Sequence, residues 1–450
     1  MNDKFDMLFS VCAVFGLWIL WGHLVSLILN LFLEQPISAK ERTEEDNREK
    51  VEPDKVAAST EIFYDPILPI IEPHLQPNLE SPNLDCSLKD YYIKSSHNSY
   101  INGNQLVGES SVDAVLGLLL KNVRCVELDL HDGPDGPTIF HKWTLMSSIP
   151  AVEAFQSIKK ILKPDGLPII VDLEDHLSDF QRCFLIKKIH KIFKDILYVE
   201  ERGVSLPSPN ELRGRVIIMA NENWKPLSDL CEKVPYEDVT RFKTRQLNEV
   251  SSLSEHQFQK MLKPSPDILI SATKIRLIRA YPGGERQLSG NFNPVPALNT
   301  GIQLVALNHQ TKDENLELLN CVFRENGDTG FALKPEILRT GTQSVPGKRI
   351  SIEIIEENIP KKHSVNLKVF EGLKKVTTTT LQKGKKTELQ VHTPELAYMM
   401  FKFKKKKFFG LKNDTKACYA IPVTKLLEGE KELELSYATL KINVKIENLE

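Results

Sequence analysis

Acidic side chains recur at the ends of predicted strands. Glu127 and Asp129 stand two residues apart in an apolar segment, and because side chains alternate along a strand, both face the same side. Two neighbouring carboxylates repel each other unless a cation or a basic group compensates their charge. Glu174, at the end of the apolar run 169–174, and the side-chain carbonyl of Asn98 complete a set of oxygen ligands without a thiolate. This set predicts a hard cation, calcium before magnesium, and argues against zinc.

Two histidines belong to the same pattern, His97 directly before Asn98 and His141 at the end of another predicted strand. Beside a cation site, histidines can stabilise a charged transition state and act as general acids. Taken singly, a histidine at a strand end usually satisfies a local hydrogen bond, and Arg124 could neutralise the acidic pair. The order His-Asn, Glu-x-Asp, His and Glu across successive strand ends favours an active site over these simpler explanations.

These side chains need a scaffold that gathers strand ends, and the central region predicts one. Short apolar runs alternate with amphipathic helical patterns, which is typical of a largely parallel sheet. Seven or eight such units over about 250 residues fit a closed (β/α)8 TIM-type barrel, in which chemistry lies at the carboxyl ends of the strands. The predicted strands are 91–95, 125–130, 168–173, 216–220, 277–281, 302–307 and 331–333, and the predicted helices include 111–121, 151–162 and 179–193.

Composition narrows the class of protein. The chain has 450 residues, 41% of them hydrophobic and 26% charged, which excludes wholesale disorder and predicts about three folded units. Its seven cysteines form no C-x-x-C pair and no zinc spacing, so we expect reduced thiols rather than a disulfide scaffold. Residues 346–450 are basic whereas the remainder is acidic, and this asymmetry favours an anionic surface as partner.

The N-terminal segment predicts a membrane anchor. Residues 8–32 contain no charged side chain and are long enough to cross a bilayer. A cleaved signal peptide and a buried core helix are the alternatives, but the run is long for the first and followed by a polar tract that cannot pack against the second. We therefore expect a transmembrane helix within 1–33, a flexible tether over 34–83 and, from the basic residues after the span, a cytosolic catalytic body.

The C-terminal residues 343–450 predict an all-β module. Apolar and polar residues alternate there in several short runs, and about 100 residues of this pattern suit a β-sandwich.

An ordered set of motifs resembles eukaryotic phosphoinositide-specific phospholipase C. The resemblance divides the barrel into an X half at 84–220, a short linker at 221–240 and a Y half at 241–342. The motifs are SSHNSYI at 95–101, VELD at 126–129, IFH at 139–141, VDLEDH at 171–176 and LPSPNEL at 206–212, then SSLSE at 251–255, RAYP at 279–282, QLVALN at 303–308 and FALKP at 331–335.

The resemblance implies a calcium-dependent hydrolysis of phosphoinositides through a cyclic intermediate. Asn98, Glu127, Asp129 and Glu174 would ligate calcium, and Glu127 would also take the proton of the inositol 2-hydroxyl. His97 would stabilise the phosphoryl group, and His141 would protonate the departing diacylglycerol oxygen. Diacylglycerol and inositol phosphates would be the products.

Headgroup recognition departs from the family pattern. Ser252, Arg279 and Tyr281 match headgroup contacts of the Y half, but Met219 and Asn221 stand where the family usually has two lysines. We therefore expect a weakened preference for the 4,5-bisphosphate.

By position and pattern the C-terminal module resembles a C2 domain, with cations where calcium-binding members carry aspartates. This loop is expected to contact an anionic phospholipid membrane, and nucleic acid is not expected as a partner. The residues of this loop are Lys404, Lys405, Lys406, Lys407, Phe408 and Phe409.

Two other functions remain open on the sequence. A catalytically silent phosphoinositide-binding scaffold of the same fold would explain the missing lysines. A glycerophosphodiesterase with a similar barrel would lack the Y-half motifs and the sandwich.

Overall fold

The fold is that of a computed structural model. It describes residues 82–105, 108–142, 147–199, 206–224, 232–234, 249–324, 326–343, 345–360, 363–405, 414–435 and 438–449. The chain divides into two units, Met1–Val51 and Glu52–Glu450, and all described residues belong to the second. The predicted anchor at 8–32 and nearly all of the predicted tether lie outside the described residues. Within the described ranges, every helix is too short or too polar to cross a bilayer.

The central region forms the predicted barrel. Among the described residues, eight parallel strands lie side by side in one sheet. In order across the sheet they are Glu232–Val234, Glu249–Ser254, Leu277–Tyr281, Leu304–Leu307, Ser95–Ser96, Cys125–His131, Ile169–His176 and Val216–Met219.

The predicted barrel strand 331–333 is wrong, and of the predicted strand 91–95 only Ser95 lies in a barrel strand. Tyr91–Ile93 and Phe331–Leu333 pair antiparallel with each other and form a separate two-stranded sheet, with the rings of Tyr91 and Phe331 packed edge to face at 6.3 Å. Apolar content alone does not distinguish such a pair from parallel barrel strands. The barrel instead uses Glu249–Ser254, whose serines interrupt the apolar run, and Glu232–Val234, which lies inside the predicted linker.

The helices agree with the predicted amphipathic runs to within a residue or two. Serine side chains cap several of them; Ser178 accepts a hydrogen bond from the backbone of Gln181, and Ser254 forms a capping box with Gln257, which satisfies backbone donors that the first turn leaves open. The helices are Val112–Leu120, Ala151–Ile161, Asp179–Phe193, Glu255–Leu262, Pro266–Thr273, Val295–Leu298, Glu314–Arg324 and Glu336–Arg339.

Alternation along each strand divides the barrel into two apolar regions and one polar end. On Cys125–His131, Val126, Leu128 and Leu130 face outward into the core beneath the helices. Cys125 faces inward and joins an apolar cluster with Ile170, Ile217, Leu277 and Leu304. This cluster fills the interior below the next inward layer, so the polar side chains collect at the carboxyl ends of the strands.

In the part of the C-terminal module that the structure describes, eight strands form two antiparallel sheets that pack around one apolar core. Lys404 and Lys405 end one of its strands, whereas Lys406, Lys407, Phe408 and Phe409 lie outside the described residues. One sheet contains Thr387–Val391, Lys348–Asn358, Ala438–Asn448 and Gly429–Leu435, and the other contains Lys375–Thr380, His363–Glu371, Ala397–Lys405 and Asp414–Pro422.

Buried polar contacts join the sandwich to the Y half of the barrel. Asn299 is almost fully buried and its Nδ2 donates to the carbonyl oxygens of Gly372 at 2.6 Å and Leu396 at 2.8 Å. Arg324 Nη2 donates to the carbonyl oxygen of Ala420 at 2.6 Å. Since these donors satisfy backbone acceptors that the interface covers, the sandwich is held against the barrel in one orientation.

Asn299→Ala is expected to lower the free energy of unfolding by roughly 1–3 kcal/mol, because the carbonyl oxygen of Gly372 loses its Asn299 donor and that of Leu396 keeps only the backbone N–H of Gly372. Urea denaturation measures this change. Asn366→Ala is the matched control, since Asn366 Nδ2 donates to an exposed threonine hydroxyl within the sandwich. Equal effects of the two substitutions would show that the buried contact adds nothing.

Candidate active site

The register of two adjacent strands brings four carboxylates together. Glu127 lies opposite Asp172 and Asp129 lies opposite Glu174 in the parallel pair Cys125–His131 and Ile169–His176. Each pair forms one layer of inward-facing side chains, with the second layer nearer the carboxyl ends of the strands.

A buried arginine from the Y half compensates the lower layer. Arg279 Nη2 lies 2.5 Å from Glu127 Oε1, and Arg279 Nε lies 2.9 Å from Asp172 Oδ2. The three side chains are at most 2% exposed. Burial lowers the pKa of Arg279, but the charges of Glu127 and Asp172 outweigh it, so the net shift is upward. The guanidinium therefore stays charged inside the barrel.

This contact corrects one expectation and modifies another. Arg124 does not neutralise the acidic pair: its Nε donates to the carbonyl oxygen of Thr329 and its Nη2 to Asn122. Arg279, expected at the substrate headgroup, is engaged by carboxylates and also donates from Nη1 to Ser252 Oγ at 3.2 Å. Sequence could not assign this partner, because Arg279 and Glu127 are 152 residues apart.

Three carboxylates approach closely enough to share one cation. One oxygen each from Glu127, Asp129 and Glu174 lies within 4.8 Å of the others. Oxygens bound to one calcium ion at about 2.3–2.6 Å can be up to roughly 5 Å apart, so this spacing fits. Glu174 is half exposed and Asp129 is buried, which leaves one side of the group open to solvent. A hard cation therefore fits the donor set.

Asn98 is oriented towards the same group by its backbone. Its φ of 47° lies in the left-handed region, which asparagine tolerates better than most residues. In this conformation its backbone N–H donates to Glu127 Oε2 at 2.9 Å, and its Nδ2 donates to Gln105 Oε1 at 3.3 Å. Because the amide nitrogen is used by Gln105, the side-chain carbonyl oxygen of Asn98 is the atom that could ligate a cation.

His97 is held by Asn308, the last residue of the QLVALN motif, to which the sequence assigned no role. Asn308 Nδ2 donates to the carbonyl oxygen of Gly290, so its Oδ1 faces His97 Nδ1 at 3.0 Å and accepts the ring N–H. This leaves His97 Nε2 directed at the acidic group, 3.9 Å from Glu127 Oε2. The ring also stacks at 6.0 Å on that of Tyr281. The sequence did contain a signal for this role, because Asn308 is a polar residue directly after the buried strand Leu304–Leu307.

His141 reaches the site by a hairpin rather than from a parallel strand. Thr138–Ile139 pairs antiparallel with the end of Cys125–His131, which corrects the expectation that His141 ends a barrel strand. Burial lowers the pKa of His141, the charge of His97 lowers it further, and Glu174 and Glu127 oppose the shift. The two histidines and the carboxylates thus act on one another electrostatically.

The positions expected to hold lysines are neutral and partly apolar. Met219 lies opposite Asp172 in the parallel pair and joins the apolar cluster of the barrel interior. Asn221 Nδ2 lies 3.4 Å from Asp175 Oδ2. Arg279 of the Y half stacks on the ring of Tyr281 at 4.8 Å while it binds the carboxylates.

Comparison with known proteins finds two matching domain families, one after the other along the barrel. Residues 84–222 match the X domain and residues 225–337 the Y domain of phosphatidylinositol-specific phospholipase C, which together cover more than half of the chain. The chain belongs to the phosphatidylinositol-specific phospholipase C family.

Individual members of this phospholipase C family share about 30% of their residues with the chain. It is 31% identical over 302 residues to 1-phosphatidylinositol 4,5-bisphosphate phosphodiesterase delta-3-A of Danio rerio, covering 56% of this chain and 38% of that protein. It is 28% identical to the delta-3 enzyme of Homo sapiens, covering 80% of this chain and 56% of that protein. The chain thus spans about half the length of the curated relatives it matches.

A solved structure supports the fold of this family member. The crystal structure of L. pealei PLC21 superposes with a TM-score of 0.71 at 25% identity, covering 83% of this chain and 58% of that one.

Arg279→Met is expected to destabilise the phospholipase C barrel by about 3–5 kcal/mol, since it leaves two buried carboxylates without their cation. Thermal or urea unfolding measures this loss. Arg286→Met is the control, because Arg286 pairs with Glu255 at a more exposed position. An Arg279→Met variant as stable as the Arg286→Met variant would contradict the structural importance of the buried pair.

Proposed function

We propose that this protein is a calcium-dependent phosphoinositide phospholipase C, which cleaves phosphatidylinositol phosphates to diacylglycerol and inositol phosphates. The observation that carries the proposal is the meeting of Glu127, Asp129 and Glu174 with two histidines at one end of a barrel of this family. The Danio rerio and Homo sapiens relatives are named as 1-phosphatidylinositol 4,5-bisphosphate phosphodiesterases, which supports the same substrate class.

Glu127 is the proposed base for the first step. Its carboxylate already accepts hydrogen bonds from Arg279 and from the backbone of Asn98, and a carboxylate has about four acceptor positions. It would take the proton from the inositol 2-hydroxyl, whose oxygen then attacks the neighbouring phosphorus. When bound by Asn98, Glu127, Asp129 and Glu174, calcium would lower the pKa of that hydroxyl and offset phosphate charge.

The histidines divide the remaining proton work. His97 donates Nδ1–H to Asn308, so a protonated ring would present Nε2–H to the phosphoryl oxygen and stabilise the charge that develops there. His141 would donate a proton to the departing diacylglycerol oxygen. It would then act as base for the water that opens the cyclic intermediate.

The headgroup pocket supports weakened selection of ring phosphates. Met219 and Asn221 supply no cation, and Arg279 is shared with Glu127 and Asp172. Each missing charge-assisted contact to a phosphate removes roughly 1.5–3 kcal/mol. Phosphatidylinositol and its monophosphates would therefore be used alongside the bisphosphate, with Ser252 and Tyr281 contributing neutral contacts.

Membrane association is part of the same proposal. The uncharged run 8–32 would anchor the chain with its catalytic body in the cytosol, and the C2-like sandwich would contact anionic lipid through the lysine run that begins at Lys404. A second candidate function is a silent phosphoinositide-binding scaffold, and the neutral side chains of Met219 and Asn221 are the observation that favours it.

Calcium chelation is expected to abolish release of inositol phosphates by the full chain in mixed micelles. His97→Ala and His141→Ala should each lower the rate by about 10²- to 10⁴-fold, because each removes a proton donor from the reaction. His363→Ala, whose ring binds a carbonyl within the sandwich, should keep the parent rate. Release that persists in chelator or in both active-site variants would refute the mechanism, and lipid binding without any release would favour the scaffold.

Asn221→Lys is expected to raise the preference for the 4,5-bisphosphate over phosphatidylinositol by about tenfold, since it restores one charged contact to a ring phosphate. Turnover of the two lipids in matched vesicles measures the ratio, and Met219→Lys with Asn221→Lys should raise it further.

Asn223→Lys is the matched control, since it adds the same charge two residues away at an exposed position. A parent protein that already strongly prefers the bisphosphate, or equal ratios for the Asn221→Lys and Asn223→Lys variants, would contradict this reading of the pocket.

A further inference from the structure

The asparagine expected to ligate calcium is oriented by a buried glutamine. Asn98 Nδ2 donates to Gln105 Oε1 at 3.3 Å, and Asn98 is 3% exposed and Gln105 8% exposed. The terminal torsion of an asparagine has two roughly equivalent settings, which exchange the positions of its oxygen and its nitrogen. Only one setting directs the oxygen at the carboxylates, and the amide nitrogen, as a donor, cannot ligate a cation. Gln105 therefore selects the setting that can bind metal.

Gln105 is itself held by a serine from the Y half of the barrel. Its backbone N–H donates to Ser289 Oγ at 3.0 Å, although the two residues are 184 positions apart in the sequence. Ser289 is fully buried and has a φ of 58°, a left-handed conformation that serine adopts rarely. Such a conformation persists where the surrounding contacts require it, and it is found mainly at functional sites. The backbone of Ser289 therefore points to a functional role for this contact.

An ion pair anchors the loop that carries Ser289, residues 283–291. Arg286 Nε lies 2.6 Å from Glu255 Oε2, and Arg286 Nη2 lies 2.7 Å from Glu255 Oε1, a bidentate geometry that fixes direction as well as distance. Two turns of the loop share the same arginine. The backbone N–H of Arg286 donates to the carbonyl oxygen of Gly283 at 3.0 Å, and that of Ser289 donates to the carbonyl oxygen of Arg286 at 2.9 Å. The position of Ser289 is thus set from the ion pair.

The same loop also supports His97. The carbonyl oxygen of Gly290 accepts from Asn308 Nδ2 at 3.2 Å, and Asn308 Oδ1 accepts from His97 Nδ1. The preceding loop residue, Ser289, supports Asn98 by way of the glutamine. One loop of the Y half therefore acts on two consecutive site residues of the X half, the expected phosphoryl-stabilising histidine and the expected calcium ligand.

We propose that Ser289 and Gln105 are positioning residues of the calcium site. Ser289 fixes the backbone of Gln105, and the side chain of Gln105 turns the side-chain oxygen of Asn98 towards the bound cation. The proposal rests on the proposed calcium-dependent phospholipase activity, but binding of the ion can be measured without turnover.

Calcium binding to the full chain in detergent, measured by isothermal titration calorimetry, tests the role of the glutamine. Gln105→Leu should weaken binding by about tenfold or more, as is typical when the hydrogen-bond partner of a metal ligand is lost. Gln105→Glu keeps an acceptor for Asn98 Nδ2, so this variant should bind calcium at least as tightly as the parent. An equal loss in both variants would contradict the orientation of Asn98 by the side chain of Gln105.

Ser289→Ala should weaken calcium binding by about threefold to tenfold and should act only through Gln105. In the Gln105→Leu background the same substitution should change binding by less than about twofold, because effects that share one contact do not add. Ser208→Ala is the matched control, since the buried Ser208 Oγ accepts from the backbone of Glu211 at 3.2 Å, on the segment that leads into the barrel strand Val216–Met219. This control should lower thermal stability as Ser289→Ala does and leave calcium binding at the parent value.

The outcomes distinguish this proposal from the proposed activity. Calcium binding that is unchanged in the Ser289→Ala and Gln105→Leu variants would overturn the positioning role, whether or not the protein hydrolyses lipid. Weakened binding in these variants, in a chain whose parent releases no inositol phosphate, would keep the positioning role and refute the phospholipase activity. A parent chain that binds no calcium would refute both the positioning role and the calcium dependence of the proposed reaction.

Discussion

The buried arrangement of Arg279 between Glu127 and Asp172 is the interaction on which the active-site end of this barrel depends. Glu127 and Asp172 come from neighbouring strands of the X half, and Arg279 comes from the Y half. Three such charges in an apolar interior are unfavourable unless they compensate one another. The two halves must therefore be assembled before either can hold its charges, which makes the barrel a single unit although its sequence motifs fall into two regions.

The same arrangement divides the work among the four carboxylates. Asp172 is fully buried and serves the arginine. Glu127 is shared: one oxygen meets Arg279, and the other accepts from the backbone of Asn98 and faces His97. Asp129 and Glu174 stand one layer higher, nearer solvent. The proposed calcium site would therefore combine a fixed guanidinium below with two carboxylates nearer solvent, of which Glu174 also contacts His176 at 3.1 Å.

Positioning residues complete the geometry around the histidines. Asn308 orients His97 through its carbonyl oxygen, and it is itself held by Gly290 and by Asn291, whose Oδ1 accepts from the Asn308 backbone at 2.7 Å. Below them, the apolar cluster that includes Met219 fills the barrel interior. Beyond the barrel, Asn299 and Arg324 attach the sandwich. The Asn308 contact fixes the orientation of the His97 ring, and the Asn299 and Arg324 contacts fix the orientation of the sandwich.

Much of this protein could be predicted from its sequence because the signals are local. Strand alternation placed Glu127 and Asp129 on one face, amphipathic periodicity located the helix Asp179–Phe193, and the order of motifs indicated a barrel followed by an all-β module. Each of these properties depends on residues close together in the chain. The membrane anchor at 8–32 and the calcium ligands stay predictions of the same kind.

Contacts between distant segments were decided only by the tertiary structure. Tyr91–Ile93 pairs with Phe331–Leu333 rather than with the barrel, and the serine-rich Glu249–Ser254 takes a place among the barrel strands. Arg279, not Arg124, neutralises Glu127 across 152 residues. Composition and periodicity indicate which side chains must be buried. The partner of a buried charge depends on strand register and on contacts between segments far apart in the chain.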